Sequence, residues 1–127
     1  MVSPTLALLH GFLGFSRRGP IECFRGVEHA LRRIHITPLM PEVPPAGTIV
    51  ERAEALARQL FHSDVPAFAL VAHSMGGLDA RHLITYLDPD RRVKSLLTVA
   101  TPHRGTPLAT WVLESRGLIP AWIRHIG

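Results

Sequence analysis

Ala67-Phe68-Ala69-Leu70-Val71-Ala72-His73-Ser74-Met75-Gly76-Gly77 is the stretch whose reading decides the fold. Six apolar residues run without a charge or a break up to His73-Ser74, and a helical pattern follows at once. A continuous apolar run of this length suits a strand buried on both faces of a parallel sheet, because neither face meets water. A serine at the turn from such a strand into a helix is held in a strained conformation that pushes its hydroxyl clear of the sheet. The amides of the helix's first turn point to the same place. Strand and helix nearly collide at that turn, so the residues two before and two after the serine must be small. Ala72 and Gly76 fill those positions, alanine adding a single methyl where glycine is usual.

Working outward, Thr5-Leu6-Ala7-Leu8-Leu9-His10 is a second buried-strand pattern, and it runs into the glycine-punctuated loop Gly11-Phe12-Leu13-Gly14-Phe15. Such a loop places backbone amides at the sheet's C-terminal edge, where ligands of open α/β sheets bind. Ile21, Phe24, Val27, Leu31 and Ile34 recur at intervals of three and four, which predicts a helix over about 21–33 with one buried face. His35-Ile36-Thr37-Pro38-Leu39 predicts a short or peripheral strand, demoted by its proline, and Pro41, Pro44 and Pro45 stiffen the loop after it. Thr48 and Glu51 form a capping-box pattern ahead of an alanine-, leucine-, glutamate- and arginine-rich run to Phe61, which predicts a second helix. A third helix is expected over about 75–86, a further strand over 93–100, and a fourth helix starting over 108–115. Strands and helices alternate, so the fold class is α/β: a parallel sheet of about four strands with three to four helices on both faces, in one domain spanning 1–127.

Composition narrows the function classes. With 46% hydrophobic and 19% charged residues, the 127-residue chain can bury a core of its own. The net charge of +4 comes from 14 basic and 10 acidic residues, and Lys94 is the only lysine. The arginines are scattered in pairs such as Arg17-Arg18 and Arg91-Arg92, with no recognition motif and no single stripe, so no nucleic-acid partner is expected. Cys23 is the lone cysteine, which leaves no intrachain disulfide and no redox compartment to infer. The start of the chain lacks a basic n-region, and the apolar run from Leu6 to Leu9 is too short for a signal sequence or a membrane span. Localisation is left open. His29, His35, His62, His82 and His125 show no metal-ligand spacing, so no metal and no cofactor are expected.

Serine becomes a useful nucleophile only when a base takes its proton, an acid orients the base and amides stabilise the oxyanion. Ser74 supplies the hydroxyl, and the backbone N–H groups of Met75 and Phe12 are the oxyanion donors expected of two neighbouring parallel-strand ends. Three ordered segments carry a family resemblance: His10-Gly11-Phe12-Leu13-Gly14-Phe15, Ala72-His73-Ser74-Met75-Gly76-Gly77-Leu78-Asp79-Ala80-Arg81, and Val99-Ala100-Thr101-Pro102-His103-Arg104-Gly105-Thr106-Pro107. They are similar to the oxyanion loop, the nucleophile motif and the following strand-end loop of the α/β-hydrolase superfamily, in particular the bacterial triacylglycerol lipases and carboxylesterases. The resemblance implies that Ser74 is acylated, that Phe12 and Met75 form the oxyanion hole, and that His10, Gly11, His73 and Gly76 support the motif.

Other assignments are weighed beside these. His10 is expected to shape its loop and His73 to point away from Ser74. Asp79, one turn into its helix, is expected to face solvent or the helix dipole. His103 is expected at the catalytic edge without acting as the base. No segment after Ser74 matches the family's acid or histidine loops, so the triad acid and base are not identified, and the chain is expected to be the N-terminal part of a longer or truncated hydrolase.

Two functions follow as expectations. One is a serine ester hydrolase acting on hydrophobic or lipid-like esters. The alternative is a non-catalytic, vestigial hydrolase-like binding module, with self-association or a completing partner at an exposed sheet edge.

Overall fold

A computed structural model describes residues 2–11 and 24–107. Its elements are β1 (Thr5–Leu9), α1 (Val27–Arg33), α2 (Ile49–Phe61), β2 (Phe68–His73), α3 (Gly76–His82) and β3 (Val93–Val99), with a π-helical segment, Leu83–Leu87, continuing from α3. The three strands form one sheet in the order β1-β2-β3. β1 pairs in parallel with β2 from Thr5↔Phe68 to Leu9↔Ala72. β2 pairs in parallel with β3 from Ala69↔Ser95 to His73↔Val99. Parallel pairing brings the three strand ends, His10, Ser74 and Ala100, to one edge of the sheet.

Strand alternation sets the core. Ala7 and Leu9 of β1 and Phe68, Leu70 and Ala72 of β2 are buried against Ala53, Leu56 and Leu60 of α2 and Ala80 of α3, with Leu83 beside them. α2 begins at Thr48, whose hydroxyl accepts from the Glu51 N–H at 3.2 Å while Glu51 Oε2 accepts from the Thr48 N–H at 2.8 Å. The expected capping box therefore forms and satisfies donors that the first helical turn leaves open. The other end of α2 is closed by Arg92, which donates to the carbonyls of Phe61 at 3.1 Å and Ser63 at 2.6 Å and to that of Val65. The same guanidinium lies 5.3 Å and 5.4 Å from the ring centres of Phe61 and Phe68.

Three expectations are corrected. The strand predicted at 35–39 is a single parallel bridge, Ala7↔Leu39, because Pro38 has no N–H to extend a ladder. α1 is shorter than predicted and none of its residues is fully buried, so the apolar spacing of Val27, Leu31 and Ile34 does not give the buried face that was expected. The third helix changes pitch, passing at Leu83 from α to π. The predicted fourth helix and the tail after it, the start of the first helix from Ile21 to Cys23, and the loop from Phe12 onward lie outside the described residues.

The opposite sheet face carries the register row Leu8, Val71 and Leu97. Exposure along that row rises from 2% at Leu8 to 60% at Leu97, and Val99 is also exposed.

Candidate active site

Ser74 stands in the left-handed region, with φ of 54°, between the last residue of β2 and the Met75 N-cap of α3. For a non-glycine residue that conformation costs on the order of 1 kcal/mol and persists only where surrounding contacts fix it. Here the Ser74 N–H donates to the Val99 carbonyl at 2.9 Å, tying the turn to the end of β3, and the Ser74 carbonyl accepts from the Gly77 N–H at 3.1 Å. The expected small residues are needed. A Cβ on Gly76 would lie 2.6 Å from the His10 carbonyl oxygen, and one on Gly11 would lie 2.7 Å from Ser74 Cβ and 3.2 Å from its Oγ. The ends of β1 and β2 thus meet with no room for a side chain between them. The Met75 N–H, one of the open donors at the start of α3, donates to no group among the described residues. Phe12 lies outside them.

His10 is buried and bonded on both ring nitrogens. Its Nε2 accepts from the Val43 N–H at 3.3 Å, so the proton sits on Nδ1, which donates to the Gly11 carbonyl at 3.1 Å. Burial, and secondarily the nearby Arg52 charge, hold its pKa below the usual histidine value, against the raising effect of the Gly11 bond. It is a neutral imidazole that shapes the loop beside Ser74. The half-buried His73 has a buried Nδ1 without a hydrogen-bond partner among the described residues. His103 Nδ1 accepts from Arg81 Nη1 at 3.3 Å, which leaves Nε2 to donate to Thr98 Oγ1 at 3.0 Å. Both of its nitrogens are therefore occupied away from Ser74. No group among the described residues is hydrogen-bonded to Ser74 Oγ.

Asp79 corrects the sequence reading. It is buried, not solvent-facing, and accepts from Arg52 Nε at 2.8 Å in an ion pair whose members are 0% and 2% exposed. Burial raises its pKa to about 6, Arg52 offsetting part of the rise. Arg52 also donates through Nη1 to the Pro44 carbonyl at 2.7 Å and through Nη2 to the His10 carbonyl at 3.0 Å. Sequence reasoning missed this arginine. The signal was present: Arg52, Leu56 and Leu60 recur at intervals of four, placing a charge on the apolar stripe of α2.

Residues 51–119, just over half of the chain, match the family model for the conditioned medium factor C-terminal domain. Triacylglycerol lipase 2 of Saccharomyces cerevisiae is 38% identical over 104 residues, covering 74% of this chain and 32% of the relative. A triacylglycerol lipase of Pseudomonas fragi is 29% identical over 108 residues, covering 82% and 36%. The mature form of a Bacillus licheniformis lipase superposes with a TM-score of 0.70 at 22% identity, over 88% of this chain and 46% of that one. The chain belongs to the conditioned medium factor C-terminal domain family and is a lipase/esterase-like α/β-hydrolase. An extracellular α/β-hydrolase from a Paenibacillus species shares the hydrolase fold as well, with a TM-score of 0.64 at 19% identity over 78% and 41%. The chain spans about a third of the length of the curated relatives it matches. Among its described residues no cluster of three or more histidine, cysteine, aspartate or glutamate side chains is placed to hold a metal ion. No helix among them is long and apolar enough to cross a membrane.

Proposed function

We propose that the chain carries the nucleophile and oxyanion-stabilising part of a serine carboxylic-ester hydrolase. The observation that carries this reading is Ser74 at φ of 54°, with Gly11 pressed against its side chain. Strain of that kind is kept where it serves a site, and here it lifts a hydroxyl off the sheet edge beside open helix-start amides. Ser74 Oγ attacks the ester carbonyl carbon as its proton passes to a base supplied from outside the described residues. The tetrahedral oxyanion accepts from the N–H groups of Met75 and Phe12. Collapse expels the alcohol and leaves an acyl-enzyme, and water then releases the carboxylic acid and the free serine. The two sequence segments assigned to the site are apolar, with Phe12, Leu13 and Phe15 in one and Met75 in the other. That character and the names of the lipase relatives support hydrophobic, lipid-like esters as substrates, and the chemistry requires no cofactor.

A fluorophosphonate probe should label Ser74 in the full chain, and Ser74→Ala should abolish both labelling and ester hydrolysis. Absence of labelling, together with an unchanged rate in the alanine variant, would sink the proposal.

Ser74 Oγ lacks a hydrogen-bonded base among the described residues and β3 exposes Leu97 and Val99, which favours a second reading as a non-catalytic module that self-associates or docks on a partner. A monomer by light scattering that hydrolyses a short-chain nitrophenyl ester would exclude it.

A further inference from the structure

Arg52 stands on α2, whose own residues take no part in the chemistry proposed for Ser74, yet every polar end of its side chain is committed, one of them to the strand end beside that serine. Nη2 holds the His10 carbonyl at 3.0 Å, Nη1 the Pro44 carbonyl at 2.7 Å, and Nε the Asp79 carboxylate at 2.8 Å. Asp79 belongs to α3, the helix that opens with the Met75 amide, while His10 ends β1. The guanidinium therefore spans the helix that bears one proposed oxyanion donor and the strand end that leads to the other.

Two successive carbonyls of that strand end are held from different sides. The His10 carbonyl is clamped between Arg52 Nη2 and the Gly76 backbone, where no Cβ would fit. The Gly11 carbonyl is taken by the His10 ring, whose far nitrogen is pinned by Val43. In a planar trans peptide, fixing the carbonyl fixes the N–H on the opposite side. A fully buried arginine is costly to keep unless its charge is paired and its donors are used, and here all three partners supply that.

We propose that Arg52, anchored by Asp79, is a positioning residue that sets the His10–Gly11 backbone against the Ser74 turn and so holds that strand end against the start of α3, where the Met75 N–H stands. This rests on the reading of Ser74 as the acylated residue. A displacement of about 1 Å at such a site costs on the order of 100-fold in rate.

The test compares the full chain with its Arg52→Gln, Arg52→Lys and Asp79→Asn variants by two readouts. The first is the rate of Ser74 phosphonylation, separated into probe affinity and maximal rate. The second is amide hydrogen exchange over residues 4–11, with 93–99 as the internal control. Arg52→Gln should lower the maximal labelling rate by about 100-fold with affinity almost unchanged. It should also speed exchange at 8–11 by roughly tenfold, since a bond from a charged donor has been lost, with the control strand unaffected. Arg52→Lys should recover part of both effects, and Asp79→Asn should show both in weaker form.

If Arg52→Gln does not fold, the lysine and asparagine variants decide by the same two criteria. Unchanged labelling and unchanged exchange in a folded variant overturn the proposal, as does exchange that rises equally in 93–99. If the unaltered chain is not labelled at all, the serine-hydrolase reading fails. Exchange at 8–11 then decides alone whether Arg52 holds the strand end: faster exchange supports the positioning role and unchanged exchange overturns it.

Discussion

Ser74 holds a backbone conformation that glycine adopts freely and a Cβ penalises. Ser74→Gly should therefore be more stable than Ser74→Ala by about 1 kcal/mol, measured by urea denaturation, although both lose the hydroxyl. The reverse order would mean that the turn is not strained. Gly76 obeys the opposite logic, because a methyl there meets the backbone carbonyl oxygens of His10 at 2.6 Å and Leu9 at 2.9 Å, neither of which can rotate away. Gly76→Ala should cost about 1–3 kcal/mol and lower any Ser74 labelling rate at the same time. A surface glycine such as Gly26, where an added Cβ meets nothing within 4 Å, makes the control for steric effects, although its φ of 79° still strains alanine.

At the scale of elements, α2 is secured at both ends by devices of different kinds. Removing the capping hydroxyl in Thr48→Ala should cost about 1 kcal/mol by thermal or urea denaturation, since the Glu51 N–H at the helix start loses its acceptor while the Thr48 N–H keeps Glu51 Oε2. That start was legible in the sequence, because a capping box is local: Thr48 and Glu51 lie one turn apart. The buried strands were legible for a similar reason, their continuous apolar runs having no other economical fate in a parallel sheet. The turn at Ser74 could be read because three small or special residues had to coincide there. The far end of α2 was not legible, for its closure depends on Arg92, which arrives from beyond β2 and reaches carbonyls 27 to 31 residues away. The burial of Asp79 was not legible on the same account, although its place in the first turn of α3 agrees with the helix-dipole expectation. Its position in the first turn of α3 is local information, whereas its burial against Arg52 is decided by how α2 and α3 pack. The shift from α to π after His82 also has no local signal in Leu83-Ile84-Thr85-Tyr86-Leu87.

For the whole molecule, acidification acts through two buried groups of opposite sign. The folded pKa of His10 lies below the unfolded value of 6.5, chiefly through burial, so the stability it contributes is complete above that value and is lost as pH falls toward the folded one. Asp79 lies at about 6 in the folded state against 3.8 for the free group, so the folded chain takes up that proton first and gains relative stability as pH falls from about 6 toward 3.8. His10→Gln, which keeps one donor and one acceptor, should flatten the loss of stability below pH 6.5, whereas Asp79→Asn should steepen it. Chemical denaturation at a series of pH values distinguishes the two slopes. The sheet offers a further contrast between its faces: Leu70→Ala should cost about 2–5 kcal/mol, and Leu97→Ala well under 1 kcal/mol, because Leu70 is 1% exposed and Leu97 is 60% exposed. The Arg52 guanidinium also bears on the order in which the chain assembles. Its acceptors lie 8, 27 and 42 residues away along the chain, at Pro44, Asp79 and His10, so losing its water is favourable only when all three segments have already arrived. The charge is therefore expected to stay hydrated until the final collapse, and Asp79→Asn should leave the refolding rate nearly unchanged while accelerating unfolding. On that expectation the bond network at the strand end beside Ser74 acts as a latch that closes last, and the refolding and unfolding rates of Asp79→Asn test whether it sets how long the folded chain lasts rather than how quickly it forms.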